Sequence, residues 1–222
     1  MKAGTDGVLL GAWVIGTDPK FALDVGTGTG LLALMLAQKF PGICVDAIDI
    51  DEKAYSQALI NIQLCELRGS QKRVQIFESS LKEWKKSTGK KYDLIICNPP
   101  YFMKGFPVQN KERNKARVAE NLTQDSLLGA TKHLLTDRGS LQVIYPVEEG
   151  KAFLDKSANF GFYCKRSTTV FAKVNQAPKR MLFDFVQYEC NTLKEELIIE
   201  YAEQHAYTEE YKLLTSNFYL NF

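Results

Sequence analysis

The chain has 222 residues, 45% of them hydrophobic, a size that suits one α/β domain burying roughly 70% or more of its unfolded surface. A net charge of +2 permits a nucleic-acid partner without requiring one, and five widely spaced cysteines without a Cys-x-x-Cys pair indicate neither a disulfide framework nor a zinc site. No apolar run approaches the roughly 20 residues of a membrane span and the start is too polar for a signal peptide, so we expect a soluble cytoplasmic protein without metal.

Strand-like and helix-like segments alternate through the first half of the chain. The apolar runs predict strands over residues 20–25, 43–50, 73–77 and 92–98. Periodic segments between them predict helices over 31–40 and 52–67. Such alternation is typical of a parallel sheet with crossover helices on both faces, so the fold class is α/β, doubly wound.

The second half adds one helix and three strands. The pattern predicts a helix over 124–135 and strands over 139–146, 163–174 and 180–190. The last two strands have no helix between them, which favours an antiparallel addition at the C-terminal edge of the sheet. The expected architecture is one domain over residues 1–222, with a seven-stranded, mostly parallel sheet.

A long connection from Phe102 to about Leu122 has no clear period. Loops beyond about 12–15 residues are usually functional or disordered. This one carries a cluster of basic side chains: Lys104, Lys111, Arg113, Lys115 and Arg117. A solvated charged loop is one interpretation; its position directly after the fourth strand favours a role in substrate binding.

The first strand ends at Asp24, and Gly26, Gly28 and Gly30 follow in the turn that opens the next helix. Glycines let a backbone approach a ligand closely, and the free N–H groups of a helix start favour negative charge. A dinucleotide fingerprint would place its third glycine where this chain has Leu31, so the spacing argues against NAD.

The second strand ends near Asp49, about 20 residues after the glycine turn, where an acidic side chain can accept hydrogen bonds from both ribose hydroxyls. Asp51 is better explained as the N-cap of the following helix. Each feature alone is weak, since a tight turn or an exposed carboxylate would explain it. Together they are stronger evidence, because one ligand spanning the ends of the first two strands would need Asp24, the glycine turn and Asp49 in this order.

These residues resemble the cofactor site of the Rossmann-like, class I S-adenosylmethionine-dependent methyltransferases. The resemblance implies S-adenosylmethionine as cofactor and S-adenosylhomocysteine as product. It also implies that the glycine turn faces the methionine part, that Asp24 helps to hold its amino group and that Asp49 binds the ribose. Many relatives bind the adenine amino group with an Asp after the third strand. Ser80 occupies that position here, and the resemblance implies a cofactor contact through its hydroxyl or backbone instead.

The fourth strand ends in Asn98, Pro99, Pro100 and Tyr101. The carboxyl ends of the strands form the crevice of such sheets, so we expect this motif, with Asn98, to border the cofactor. Prolines cannot extend a sheet, because they donate no backbone N–H. An exocyclic or amide nitrogen is a poor nucleophile, and two acceptors, the Asn98 side-chain oxygen and the Pro99 carbonyl, would draw out its lone pair and stabilise the growing positive charge. Tyr101 would offer a stacking face to a planar substrate. We expect no catalytic role for the two histidines.

This tetrapeptide matches the NPPY motif of methyltransferases acting on adenine N6, guanine N2 or glutamine amides. The start "MKAGTDGVLLGAW" and the end "YTEEYKLLTSNFYLNF" closely resemble the bacterial tRNA1(Val) (adenine(37)-N6)-methyltransferase family, across nearly the whole chain. The resemblance implies methylation of adenosine 37 in a tRNA and a first segment, including Thr5, that folds over the cofactor. Lys179 and Arg180 join the basic loop as candidates to hold the RNA backbone. Family members carry a short basic and aromatic segment before the motif with which this chain begins.

Other functions share parts of this pattern. A release-factor glutamine N5-methyltransferase would need a helical domain ahead of the cofactor turn, for which the 23 residues before Asp24 leave no room. A DNA adenine or rRNA guanine methyltransferase fits the start and end less well. A non-catalytic module that binds RNA or cofactor would have no chemical need for Asn98. We expect an enzyme that acts as a monomer.

Overall fold

The computed structural model describes residues 4–16, 18–66, 73–100, 122–203 and 205–219. Within these ranges the helices, numbered in chain order, are α1 (Thr5–Trp13), α2 (Leu31–Lys39), α3 (Glu52–Glu66), α4 (Leu81–Ser87), α5 (Gln124–Leu134), α6 (Val147–Ser157) and α7 (Glu209–Thr215). The strands are β1 (Phe21–Val25), β2 (Cys44–Asp49), β3 (Val74–Glu78), β4 (Tyr92–Cys97), β5 (Leu135–Pro146), β6 (Tyr163–Lys173), β7 (Pro178–Val186) and β8 (Leu193–Glu200).

The strands form one sheet in the order β3-β2-β1-β4-β5-β7-β6-β8. Neighbouring strands from β3 to β5 are parallel, and only β7 runs antiparallel to the strands beside it. The order reverses direction beside β1, and the carboxyl ends of strands at such a point form a crevice. The predicted α/β class and the mostly parallel sheet are confirmed.

Two details of the predicted sheet are wrong. The described sheet has eight strands rather than seven, because β8 pairs in parallel with β6. The antiparallel strand β7 lies inside the sheet, between β5 and β6, so the C-terminal edge is a parallel strand. Edge strands often carry exposed charges, and the sequence of β8, LKEELIIE, with most of its side chains at least partly exposed, hides the strand signal.

Helices cover both faces of the sheet. One core combines side chains of α1, α2, α3 and α7 with one face, and the other combines α4, α5 and α6 with the opposite face. Successive residues of a strand alternate between the two cores, as in β4, where Leu94 and Ile96 face the first and Ile95 and Cys97 the second. Buried on both sides, these strands are continuous apolar runs, which is why their sequence identified them.

Two negative findings concern the described ranges. Within them, no helix has both the length and the apolar character needed to cross a bilayer. All five cysteines lie there as free thiols, and only Cys97 is fully buried.

Candidate active site

Three neighbouring strands bring the predicted site residues to one edge of the sheet. Val25 pairs with Ile48 of β2 on one side and with Cys97 of β4 on the other. The residues at or just before the ends of these strands, Asp24, Asp49 and Asn98, therefore share the crevice beside the glycine turn. The parallel register places together side chains that are far apart in the sequence.

The glycine turn needs its glycines for conformation. Gly26, Gly28 and Gly30 have φ angles of 70°, 60° and 81°, in the left-handed region that disfavours a side chain. A Cβ at Gly30 would lie 3.3 Å from the Cβ of Ala58 in α3, whereas one at Gly26 would have no atom of the described residues within 4 Å. Gly30 thus serves helix packing, and the described residues leave space beside Gly26 that a ligand could fill.

Asp24 is fully buried, yet only half of its carboxylate is satisfied. Oδ2 accepts hydrogen bonds from Thr27 Oγ1 at 2.5 Å and from the Ala33 backbone N–H at 3.1 Å. Oδ1 is buried without a hydrogen-bond partner among the described residues. Burial, together with the negative charge of Asp49, raises the pKa of Asp24 to about 7 against the lowering effect of these two hydrogen bonds. A cationic group beside Oδ1 would satisfy the atom and favour the ionised form.

Asp49 is half-buried and held by backbone amides. Its Oδ2 accepts the Gly28 N–H at 2.8 Å and its Oδ1 accepts the Asp51 N–H at 3.0 Å. Each carboxylate oxygen therefore keeps acceptor capacity for another donor, such as a ribose hydroxyl. Asp51 caps α3, as predicted, since its Oδ1 accepts the Lys53 N–H at 2.9 Å.

Asn98 follows β4 and lies beside the first turn of α1. A Cβ added at Gly7 would come within 4.0 Å of Asn98 Nδ2 and 3.2 Å of Leu31 Cδ2. Asn98 is half-buried and Pro99 is buried. Burial raises the pKa of the preceding Cys97 thiol well above its usual value, and the charges of Asp24 and Asp49 add to the effect. That thiol therefore stays protonated and is a poor nucleophile.

Ser80 already has local partners. It is the N-cap of α4, its hydroxyl accepts the Glu83 N–H at 3.2 Å, and the Glu83 carboxylate accepts the Ser80 N–H at 3.2 Å and its hydroxyl proton at 2.9 Å. This capping box explains the serine by helix stability alone. Its predicted contact with a cofactor stays a prediction.

The remaining predicted residues lie in different places. Thr5 begins α1 and is exposed, and Lys179 is exposed on β7. Arg180, beside it, pairs with Asp6 instead of pointing freely to solvent, with Nε 2.8 Å from Oδ2. Six predicted residues fall outside the described ranges: Tyr101, Lys104, Lys111, Arg113, Lys115 and Arg117.

Two parts of this site go beyond the residues predicted from the sequence. Thr27 has a usable sequence signal, a hydroxyl three residues after a strand-end acid and inside a glycine turn. The pair between Asp6 and Arg180 has no local signal, because 174 positions separate the two residues.

The described residues show no arrangement for metal chemistry. No group of three or more His, Cys, Asp or Glu side chains there is placed to hold a metal ion. His133 lies in the last turn of α5, and His205 has a φ of 63° in the connection before α7.

Comparisons with known proteins identify methyltransferases as relatives of this chain. A family model described as "Methyltransferase small domain" matches residues 13–154. Among curated relatives, proteins named tRNA1(Val) (adenine(37)-N6)-methyltransferase are 40% identical in Histophilus somni (100% of this chain, 92% of the relative). Those of Flavobacterium psychrophilum and Bacteroides fragilis are 38% and 40% identical, over 99% of this chain and 93% and 91% of theirs.

Solved structures share the fold at low sequence identity. A predicted O-methyltransferase from Agrobacterium tumefaciens superposes with a TM-score of 0.74 at 15% identity, over 96% of both chains. A ribosomal protein L11 methylase from Lactobacillus delbrueckii gives a TM-score of 0.57 at 18% identity, over 82% of this chain and 77% of that one. Because relatives that are 38–40% identical match nearly the whole chain and the family model matches residues 13–154, the chain belongs to the tRNA1(Val) (adenine(37)-N6)-methyltransferase family.

Proposed function

We propose that the chain methylates N6 of adenosine 37, next to the anticodon of tRNA1(Val), with S-adenosylmethionine as the donor. The observation that carries the proposal is the convergence of Asp24, Asp49 and Asn98 at three adjacent strand ends. The nucleoside and the tRNA come from the names of the relatives that match the whole chain. S-adenosylhomocysteine is the product that remains.

The site fits the donor in charge and shape. Asp24 Oδ1, which has no partner among the described residues, suits the amino group of the methionine part, and the Asp49 carboxylate suits the ribose hydroxyls. The described residues leave space beside Gly26 for a ligand against the turn. When bound, S-adenosylmethionine supplies an electrophilic methyl group on a positively charged sulfur.

Asn98 and Pro99 prepare the nucleophile. The lone pair of adenine N6 is delocalised into the ring, and it becomes available when both N–H bonds point at acceptors outside the ring plane. The Asn98 side-chain oxygen and the Pro99 carbonyl are those acceptors, and they also stabilise the positive charge that grows on N6. The extra proton then leaves N6 for water, so the reaction needs no covalent enzyme intermediate.

The target base must leave its stack to reach this crevice. Turning a base outward costs less in a single-stranded loop than in a duplex, which fits an anticodon-loop position. Tyr101 is proposed as the stacking face, and the basic residues of the loop after it, with Lys179, as contacts to the phosphates. Binding through phosphates would make affinity fall steeply with salt.

The decisive experiment uses isotope-labelled S-adenosylmethionine and tRNA from cells lacking this activity, followed by digestion and mass spectrometry of the nucleosides. Label in N6-methyladenosine of one valine tRNA is the expected result. Label in a release factor but not in tRNA would reassign the enzyme to glutamine N5 methylation, and label in neither substrate would refute the proposal.

An Asn98→Ala variant separates catalysis from binding. We expect the turnover rate to fall on the order of 10²–10³-fold, the usual cost of one preorganised partner of a developing charge. The dissociation constant for S-adenosylhomocysteine should stay within about twofold, because the unpaired Asp24 oxygen and the Asp49 carboxylate remain. Equal turnover in the variant and the parent protein would refute the mechanism and favour a binding module.

The same proposal includes a monomer acting in the cytoplasm. One site per chain is sufficient for it, since Asp24, Asp49 and Asn98 all come from a single sheet. Light scattering of the purified protein, with and without tRNA, measures the mass of the species directly. A stable dimer at assay concentrations would contradict this part of the proposal.

A further inference from the structure

Helix α1 lies against the helix that leaves the glycine turn. A Cβ at Gly7 would come within 3.2 Å of Leu31 Cδ2, and one at Gly11 within 2.7 Å of both Sδ and Cε of Met35. The two glycines are four positions apart and therefore share one face of the helix. They let α1 approach α2 closely, with its first turn beside Asn98.

The far end of α1 is held by several polar contacts. The Trp13 indole N–H donates to Thr168 Oγ1 at 2.8 Å, and the Arg166 guanidinium stacks 4.3 Å from the centre of the Trp13 ring. Just beyond the helix, the buried Gln142 amide exchanges hydrogen bonds with the backbone of Ile15, at 2.8 and 3.3 Å. None of these contacts involves the first turn.

The first turn is tied to the sheet by an ion pair. Arg180 Nε lies 2.8 Å from Asp6 Oδ2, and the two side chains are 32% and 24% exposed. Arg180 lies near the start of β7, opposite Pro146 of β5, at the edge of the sheet that also carries Asn98. Its Nη1 donates to the Lys179 carbonyl at 2.9 Å, which helps to fix the direction of the guanidinium.

We propose that Arg180 is a positioning residue for methyl transfer, which holds the first turn of α1 against Asn98 and the glycine turn by pairing with Asp6. The inference rests on the proposed function, and it gives Arg180 a role different from that of Lys179. Lys179 is exposed and suits an RNA phosphate, whereas the Arg180 guanidinium is already committed to a carboxylate within the protein. Two adjacent basic residues thus serve the cofactor side and the RNA side of the site.

The expected effect is moderate and local. Partly exposed ion pairs contribute little to overall stability, so the fold should survive their removal. The first turn of α1 would lose its pairing while the Trp13 end stays in place. We expect Arg180→Gln to weaken binding of S-adenosylhomocysteine by about three- to tenfold, the effect of a modest loss of order beside the ligand.

The test measures S-adenosylhomocysteine binding by calorimetry for Arg180→Gln, for Asp6→Asn and for the charge-swapped double variant Asp6→Arg with Arg180→Asp. Either single change should weaken binding, and the swap should restore most of it. If an Arg180 variant fails to fold, Asp6→Asn still tests the proposal, because it removes the same ion pair from the other side. Lys20→Gln, which removes an exposed ion pair with Asp18 before β1, is the matched control and should leave binding unchanged.

The same variants are then assayed for tRNA binding at several salt concentrations. Lys179→Gln should reduce the slope of log affinity against log salt by about 1, the signature of one lost phosphate contact, while Arg180→Gln leaves the slope unchanged. A reduced slope in Arg180→Gln with normal S-adenosylhomocysteine binding would overturn the inference. A lower unfolding temperature of Arg180→Gln with normal S-adenosylhomocysteine binding would also overturn it, because the pair with Asp6 would then serve stability alone. Because ligand binding is measured without RNA, failure of the proposed tRNA activity would be seen separately.

Discussion

Protonation of Asp24 should control binding of the cofactor. Burial raises its pKa to about 7, and Oδ1 has no partner among the described residues. An ammonium group bound there requires the ionised carboxylate, so a bound ligand lowers the pKa of Asp24. By linkage, affinity must then rise with pH until the ligand-free protein is ionised at this position.

The magnitude follows from the pKa. For a pKa of about 7, the ionised fraction of Asp24 is about 0.03 at pH 5.5 and about 0.5 at pH 7. The affinity for S-adenosylhomocysteine should therefore rise roughly fifteenfold over this range, close to tenfold per pH unit at its lower end. Above pH 7 the rise should level off.

Isothermal titration calorimetry at half-unit steps of pH measures this directly, and proton uptake in buffers of different ionisation enthalpy provides an independent check. Asp24→Asn should bind weakly with a flat profile. Asp184→Asn is the matched control, because burial also raises the pKa of Asp184, yet this residue lies on β7 away from the glycine turn. A parent profile that is flat between pH 5.5 and 7, or a slope that persists in Asp24→Asn, would refute the reasoning.

The same shift has a consequence for ligand-free stability, with the opposite sign. The pKa of Asp24 is raised in the folded state, so its contribution to stability is complete below the unfolded pKa of about 3.8 and is lost as pH rises through about 7. Unfolding by urea should show Asp24→Asn losing less stability than the parent between pH 5 and 8. A larger loss in the variant would contradict the assignment.

Three further changes test other parts of the structure. Gly30→Ala should lower the free energy of unfolding, measured in urea, by more than Gly89→Ala does. Both glycines have positive φ, worth about 1 kcal/mol, but among these two only a Cβ at Gly30 would also crowd α3. Equal losses would contradict this. Ser80→Ala should cost about 1 kcal/mol as a lost N-cap while leaving S-adenosylhomocysteine affinity unchanged, and weaker binding would reveal a cofactor contact instead. Trp13→Phe should cost about 0.5–1.5 kcal/mol in the same urea assay, because it removes one buried hydrogen bond while the Thr168 hydroxyl still donates to Glu195. A change well below about 0.5 kcal/mol would show that the bond to Trp13 is dispensable.

Much of the first half of the fold could be predicted from the sequence, because buried parallel strands are continuous apolar runs that leave little ambiguity. The prediction of helices and strands was weaker where the sequence mixes apolar and polar residues without a clear period. Helix α1 begins in a glycine-rich segment, α6 was not predicted, and the charged edge strand β8 shows no clean alternation. Strand β5 begins at Leu135 rather than at residue 139, with an irregular register near its start.

The meeting of Asp24, Asp49 and Asn98 at one edge of the sheet could be predicted from the sequence. Each of these residues has a fixed place at or just after the end of a strand that the apolar runs identify. Ser80 illustrates the limit, because a cap and a ligand contact use the same hydroxyl. The pairing of Arg180 with Asp6 forms only when β7 and α1 come together in the folded protein. The sequence around neither residue indicates it.

The anchoring of α1 also orders events during synthesis. This helix is the first described element to leave the ribosome, and α2, against which its glycines pack, follows soon after. Its polar anchors Thr168 and Arg180 lie 155 and 174 positions downstream of Trp13 and Asp6. A nascent chain can thus form the glycine turn early, but it completes the wall beside Asn98 only when β6 and β7 have been made. The wall beside Asn98 therefore depends on contacts between the first described helix and strands near the end of the chain.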